Sequence, residues 1–447
     1  MIGVVVCLLA ALAVCFGAAD TTAYDKVNVF IASGGLAYGY GSINPGAQMP
    51  FGAMRLGPDT TIKAADVGYR HFSGYNSQDN VVRAFSHTHL FGAGVNDLGN
   101  FGIMPFNLRN TDDLLSNVAN FWWSKFSKDT EKGSPGYYAV SLQEPNVDVQ
   151  LIAVNNLVGV HKYTWKDLKS SKLQLPGLVL DICHAAKLKT GGDNPCLDAT
   201  LNIDPTDNNK FSGAVSFDGS FTSGMWIYVA GEISTDSPAI KPSAWRFCSG
   251  QNITSTECGE NTGRVSSTSG NLFGLQTFTP ASKTFLADTL SVTVKVAISF
   301  ISEDQARVNL NSSPAHGNNT FDTLRAHTQA QWSNVLNTMS VSALENEDLD
   351  ILMHSAHYRT LCGVADYTEE GGIYKGADGQ LHNVVTERAG YAANSAPESL
   401  RFYSDLSLWD TFRTLHPFLL LTQEPLSVGT DCLCVYVCAF MSLVCAA

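Results

Sequence analysis

Val292, Val294, Val296, Ile298 and Phe300 are apolar at every second position, with Ser291, Thr293, Lys295, Ala297 and Ser299 between them. A two-residue period puts one side-chain row in a core and the other in water, which predicts a half-buried strand. Shorter apolar runs at Gly224 to Ala230 and Leu178 to Cys183 read the same way. Such runs recur between turn residues from about Ala23 to Phe300, so this part is expected to be one large β-sandwich. After Glu303 the period lengthens. Phe321, Leu324, Thr328, Trp332, Val335, Leu336 and Met339 repeat at helical spacing, as do Leu349, Leu352, Met353, Ala356, Thr360 and Leu361. Glu345, Glu347 and Asp348 open the second helix, where negative charge favours the positive end of the helix dipole. Gly, Asn, Ser and Asp dominate Glu369 to Leu400, which predicts a long loop or a small hairpin of the kind that lines sites. Ser407 then caps a helix expected to run through Trp409, Asp410 and Arg413 to about Leu421.

Both ends depart from this pattern. The apolar run Val4 to Phe16 is followed by Gly17 and Ala19, small residues at a plausible cleavage position, although no basic residue precedes the run. This predicts a signal peptide over 1–19 and a secreted chain starting near Asp20. Beyond Pro425 the sequence becomes apolar and Cys-rich, and its apolar stretch is shorter than the roughly 20 residues that cross a bilayer. Residues 426–447 are read as an aberrant end from a misread or alternatively spliced frame, with a membrane anchor as the other reading. The expected division is 1–19 signal, 20–302 sandwich, 303–425 helical domain and 426–447 tail.

The 447 residues are 45% hydrophobic and 15% charged, ample for sizeable cores, and the formal net charge is −13. With no Lys/Arg cluster to track phosphates, a nucleic-acid partner is excluded, and a neutral substrate such as a sugar fits better. Of eleven cysteines, Cys7 and Cys15 lie in the presumed signal and Cys432, Cys434, Cys438 and Cys445 in the tail. Cys183 with Cys196, and Cys248 with Cys258, are near enough to close small loops in an oxidising compartment, leaving Cys362 alone; five buried thiols is the alternative. Sequons at Asn252, Asn311 and Asn318 agree with secretion.

Three clusters carry candidate chemistry. The glycine-rich stretch from Gly34 and Gly35 to Gly41 lacks the Lys-Ser/Thr ending of a phosphate loop, so it reads as a tight turn or a backbone approaching a ligand. In Phe85-Ser86-His87-Thr88-His89-Leu90, a strand would place both imidazoles on one face, as a metal pair, as sugar contacts or as structural groups, with Asp97 nearby. Trp409, Asp410 and Arg413 combine an aromatic platform with a carboxylate and a guanidinium at i and i+3. That mixture suits a sugar's C–H face and hydroxyls, and equally suits an ordinary helix-stabilising pair beside a core tryptophan.

Several long motifs, in order, resemble glycoside hydrolase family 92. They are Val27 to Ile31 with the following glycines, Pro45 to Gly52, Leu56 to Thr60 and Phe85 to Leu90 in the first part. Tyr358 to Thr360, Gly376 to Gly379 and Ser407 to Pro417 continue the match, which spans about Asp25 to Thr422. The resemblance implies a multidomain β plus α protein: an amino-terminal large β-sandwich followed by the start of an (α/α)6 helical toroid, with the site between them. It further implies an inverting exo-α-mannosidase that releases terminal mannose from α-mannosides or N-glycans, using calcium to hold ring hydroxyls. Trp409, Asp410 and Arg413 would contact the sugar in the cleaved position, and Gly34, Gly35, Ser86, His87 and His89 would line the site from the sandwich.

Inversion needs an acid and a base about 6.5 to 9.5 Å apart. The family's Gly-Asn-Glu-Pro type and Gly-Asp/Asn-x-Asp-x-Gly type segments, which supply those groups and most calcium ligands, do not occur in this sequence. No catalytic residue and no metal ligand is therefore assigned, and the chain is expected to be carboxy-terminally truncated and inactive. The rival readings are a secreted, non-catalytic mannose-binding protein and a tail-anchored surface protein.

Overall fold

The structure, a computed structural model, describes residues 22–34, 42–60, 71–92, 94–95, 97–108, 123–169, 175–186, 196–220, 222–238, 240–250, 257–260, 263–280, 288–339, 346–387, 401–404 and 408–423. The signal segment, Gly35, the sequon at Asn252 and the tail 426–447 lie outside them.

Strands β1 (Ala47–Gln48), β2 (Arg55–Asp59), β3 (Ala84–Ser86), β4 (Gly102–Leu108), β5 (Lys132–Ser134), β6 (Tyr137–Leu142), β7 (Val147–Ala153), β8 (Val158–Trp165) and β9 (Leu175–Asp181) form the first half of the sandwich. The second half holds β10 (Cys196–Ile203), β11 (Lys210–Phe217), β12 (Trp226–Thr235), β13 (Ile240–Pro242), β14 (Arg246–Gly250), β15 (Glu257–Glu260), β16 (Arg264–Thr268), β17 (Asn271–Pro280) and β18 (Leu290–Ser299). One sheet runs β1-β2-β3-β4-β9-β17-β14-β15, with β13 on β17, and the other runs β16-β10-β11-β12-β18-β8-β7-β6-β5. Their inner faces meet in a core that includes Phe85, Tyr163, Trp165, Leu178, Leu201, Phe211, Val292 and Phe278. Both proposed disulfides form: Cys183–Cys196 joins the end of β9 to the start of β10, and so one sheet to the other, while Cys248–Cys258 ties β14 to β15. Cys362 is free and buried.

The alternating strand is β18, paired with β12 and β8 at the centre of its sheet. Its outer row does not meet water throughout: Lys295, Ala297 and Ser299 are buried. The cause is a helix the periodicity did not predict, α1 (Glu303–Asn311), packed on β11, β12 and β18. Ser302 Oγ caps it by accepting from Gln305 N at 3.0 Å, and the Lys295 ammonium donates to Gly317 O beyond it at 2.9 Å.

Helix α2 (Phe321–Leu336) buries the predicted face through Phe321, Leu324, Thr328, Trp332 and Leu336. Helix α3 (Glu347–Gly363) does not. It buries His354, Ser355, His357, Tyr358, Leu361 and Cys362, leaving Leu349, Leu352 and Met353 exposed. Specific bonds fix that rotation: Lys26 pairs with Asp350 at 2.7 Å, Asn28 N donates to Ser355 Oγ at 2.9 Å, and Tyr358 packs on Trp332. The Gly-rich stretch after Glu369 contains a hairpin, Ile373–Lys375 with Leu381–Asn383. The helix expected from Ser407 to Leu421 is two short helices, α4 (Leu408–Thr411) and α5 (Leu415–Thr422). Pro417 explains the break, because its ring would clash with the carbonyl of Arg413 four residues back.

Candidate functional site

The sandwich and the helices meet where α3 ends. The last carbonyls of a helix lack intrahelical donors and sit at the negative end of its dipole. Arg55 Nη2 donates to Cys362 O at 3.0 Å and Gly363 O at 2.9 Å, Gln48 Nε2 donates to Cys362 O at 3.0 Å, and Phe51 N donates to Leu361 O at 2.8 Å. Trp332 Nε1 of α2 donates to Gln48 O at 2.7 Å. Arg359 donates to Val29 O and Ile31 O, fastening the amino-terminal segment to the same helix. Much of the sequence that resembles a sugar-hydrolase opening therefore builds the seam between the two parts.

A second clasp leads from the seam to the candidate sugar contacts. Asp366 N donates to Phe51 O at 2.7 Å, and strand Ala365–Asp366 pairs with Tyr403–Ser404. The Asn156 amide donates to Asp366 Oδ2 at 3.3 Å and Thr368 O at 3.2 Å. Burial pushes the Asp366 carboxyl up to about 6 against the pull of Arg401 and the Thr368 N–H and hydroxyl. The chain then reaches α4, where Asp410 is exposed, and the following turn, where exposed Arg413 lies over the Phe412 ring at 5.2 Å. Helix α5 returns to the seam, with Phe418 against His357 of α3. Asp410 and Arg413 thus stand on a segment anchored on both sides to the end of α3; the Trp409 side chain lies outside the described residues.

Ser86, His87 and His89 are fully buried, and the two imidazoles do not share a face. Strand β3 ends at Ser86, so the two-residue alternation does not carry through His87 and His89. His89 Nε2 binds Asp59 Oδ1 at 2.9 Å, His184 Nε2 binds Asp59 Oδ2 at 2.6 Å, and Ser86 Oγ donates to the same Oδ2 at 2.7 Å. Burial alone would raise the Asp59 pKa, but His89 and His184 outweigh it and hold the carboxyl well below the usual carboxylate range. His87 points elsewhere. Its Nδ1 donates to Phe101 O at 2.6 Å, which leaves Nε2 to accept from His161 Nε2 at 2.8 Å, while His161 Nδ1 accepts from Tyr163 Oη at 2.8 Å. That chain closes with both rings neutral, and burial lowers the His87 pKa to about 3 and that of His161 far below its ordinary value. Gly34 lies against Ser77, whose Oγ is 2.2 Å from where a Cβ would stand, so a side chain there would have to displace that hydroxyl.

Asp97 spends its oxygens on Ser220 N at 2.9 Å and Thr222 N at 3.1 Å, and Glu369 accepts from Phe300 N and Asn309 Nδ2, each at 2.8 Å. Among the described residues no three His, Cys, Asp or Glu side chains are grouped to hold a metal ion. The donors around Asp59 are imidazoles aimed at the carboxylate, not oxygens arranged for the 6 to 8 contacts a calcium ion takes. The residues described here therefore do not form a calcium site. Sequence reasoning missed His161, His184 and Asp366. His161 sits on a periodic strand and nothing singled it out, while His184 meets Asp59 across 125 residues and Asp366 meets Asn156 across 210, pairings that no local pattern records.

Residues 26–299 match the model described as the glycosyl hydrolase family 92 N-terminal domain, and residues 305–428 match the glycosyl hydrolase family 92 catalytic domain. An "uncharacterized secreted glycosidase" of Arthroderma benhamiae is 23% identical over 377 residues, 80% of this chain and 43% of that protein. A family GH92 alpha-mannosidase from Bacteroides thetaiotaomicron superposes with a TM-score of 0.71 at 23% identity, covering 92% of this chain and 49% of that one. Its complex with mannoimidazole gives 0.70 at 24% identity, covering 91% and 47%. An inverting mannosidase of the same family and species gives 0.66 at 20% identity, covering 90% and 46%. The chain spans about half the length of these proteins. These solved structures share its fold: a mostly β first part followed by helices.

Proposed function

Because the chain belongs to glycosyl hydrolase family 92, we propose that it carries the sandwich and the opening of the catalytic domain of a secreted exo-α-mannosidase acting on terminal α-linked mannose of glycans. The observation that carries this reading is the placement of the two family matches. They meet between 299 and 305, where the last strand of the sandwich, β18, gives way to helix α1, and the second takes in the anchored segment that bears Asp410 and Arg413.

The residues at hand suit recognition of a ring. An exposed carboxylate and guanidinium, held by clasps at both ends, can accept from and donate to sugar hydroxyls with charge-assisted hydrogen bonds. Cleavage with inversion, aided by calcium, is the reaction we assign to the complete machinery; calcium would polarise and hold ring hydroxyls through oxygen ligands. We assign neither the acid, the base nor a calcium ligand to a described residue, and we propose that this chain binds α-mannosides without turning them over. Export is supported by the amino-terminal apolar run and by the secreted relative.

Titration calorimetry of the full chain with mannoimidazole tests the reading. Replacing Asp410 by Ala should weaken binding by about 1.5 to 3 kcal/mol for each charged hydrogen bond lost. If Asp410 served only its short helix, the change would cost about 0.3 to 1 kcal/mol of stability and leave binding intact, which would end the assignment. Turnover of an aryl α-mannoside by pure chain, abolished by a chelator, would show that acid, base and calcium ligands are all present.

A further inference from the structure

Away from the seam, a hollow of about 300 Å³ opens on the outer face of the second sheet beneath α1. Its floor is one cross-strand row, Asn202 opposite Ser212 and Ser212 opposite Ala230. Ser212 and Ala230 are short and buried, whereas the next row pairs Lys210 with Glu232, two long side chains. Short residues flanked by long ones on the same face of a pleat leave a pit. Arg307 overhangs it and is held in place: its guanidinium binds Asp304 and donates to Ser212 Oγ at 2.6 Å, and Ser212 donates to Glu303 Oε2 at 2.6 Å.

The volume lies at the lower end of the range for small-molecule sites, about 300 to 1,000 Å³, so it has room for one ring and not for an extended chain. The lining offers two amides, two carboxylates and two cations beside the apolar edge of Leu310. A polyhydroxylated ring with one C–H face matches that mixture. A second, independent feature names its source. Asn311, the last residue of α1, is exposed, lines the hollow and begins the sequon Asn311-Ser312-Ser313.

We propose that the hollow seats the first N-acetylhexosamine of a glycan attached to Asn311. The bond forms during export: Asn311 Nδ2 joins C1 of the sugar, the C1–O bond to a lipid pyrophosphate donor breaks, one amide proton is lost and the lipid pyrophosphate leaves. The inference rests on the secretory reading above. The sequon at Asn318 provides an internal reference, because Asn318 is exposed on the neighbouring turn and is not among the residues lining the hollow.

The test is glycopeptide mass spectrometry of the full chain secreted from a eukaryotic host, followed by timed release with peptide N-glycosidase. Asn311 should carry a glycan that the native protein releases about ten-fold or more slowly than the one on Asn318, as about 1.4 kcal/mol of docking would give, with the difference lost on denaturation. Ala230→Leu, which fills the pit, should bring the two native rates together, and Ser313→Thr should keep the modification. If the filled variant does not fold, Glu232→Ala removes one wall without adding bulk and should narrow the difference. A modified Asn318 beside an unmodified Asn311, or equal native rates, overturns the proposal while leaving export intact. An unmodified chain that retains Met1 overturns the secretory reading and this proposal with it. Binding of free N-acetylglucosamine by an unmodified Asn311 overturns the attached source.

Discussion

Trp123 is the single large apolar side chain before Ser302 that stands exposed among the described residues, whereas Val308, Leu349, Leu352, Met353, Leu381, Val385, Leu420 and Leu421 do so after it. The sandwich closes on itself: two sheets face each other, and the charged groups sealed between strands, such as Asp59 with His89 and His184, are paired. The helices close on neighbours instead. Helix α2 buries Phe321, Leu324 and Thr328 against the second sheet and Trp332 against the β1–β2 hairpin, while α3 packs on that hairpin, the amino-terminal segment and α2. A helix presents a stripe, and a stripe needs a partner surface, whereas a sandwich supplies both of its own.

That contrast is open to attack. The largest effect should come from the sealed network. Asp59→Ala removes the carboxylate that His89, His184 and Ser86 share in a fully buried site, so it should cost about 3 to 5 kcal/mol and unfold the sandwich early in a urea titration. An unchanged midpoint would show that the network contributes little. Next, Arg55→Met should remove about 2 to 4 kcal/mol by uncapping α3. Because the Arg55 bonds to Cys362 O and Gly363 O cross the seam and the one to His89 O stays in the sandwich, the seam should be weakened more, and intrinsic fluorescence and far-UV circular dichroism should then report separate midpoints. Coincident transitions would mean that the two parts do not depend on this clasp.

The clasp at Asp366 should give the seam its own pH dependence. Its folded pKa of about 6 exceeds the ordinary 3.8, so the native state holds the proton longer than the unfolded chain. Stability from this group is full below about 4 and is lost as pH rises through about 6, a difference of about 2 to 3 kcal/mol. Asp366→Asn should flatten that part of the profile and be no less stable than the parent at pH 8. An unaltered profile would place the titration elsewhere. The smallest effect is expected on the open face of α3, where Leu349→Lys with Leu352→Lys should change stability by no more than about 0.5 kcal/mol per site. A loss of several kcal/mol would reveal that this face is covered.

Period-two alternation located β18, and helical spacing located α2 with its buried face, because both patterns arise from local geometry that each chain segment carries with it. The nearness of Cys183 to Cys196 and of Cys248 to Cys258 made both disulfides legible for the same reason. The ordered motifs named the family, and Trp409, Asp410 and Arg413 were visible as a mixture of residue types. Tertiary structure alone decided that α3 turns His354, Ser355 and Tyr358 inward in place of Leu349 and Leu352, since that rotation is set by Asn28, Lys26 and Trp332, each distant in sequence. It also separated His87 from His89, giving one to His161 and the other to Asp59, and it made Gln48 and Arg55 caps for a helix some 300 residues away. Hydrogen bonds between buried polar groups are chosen by which surfaces meet, and a period along the chain holds no record of that choice.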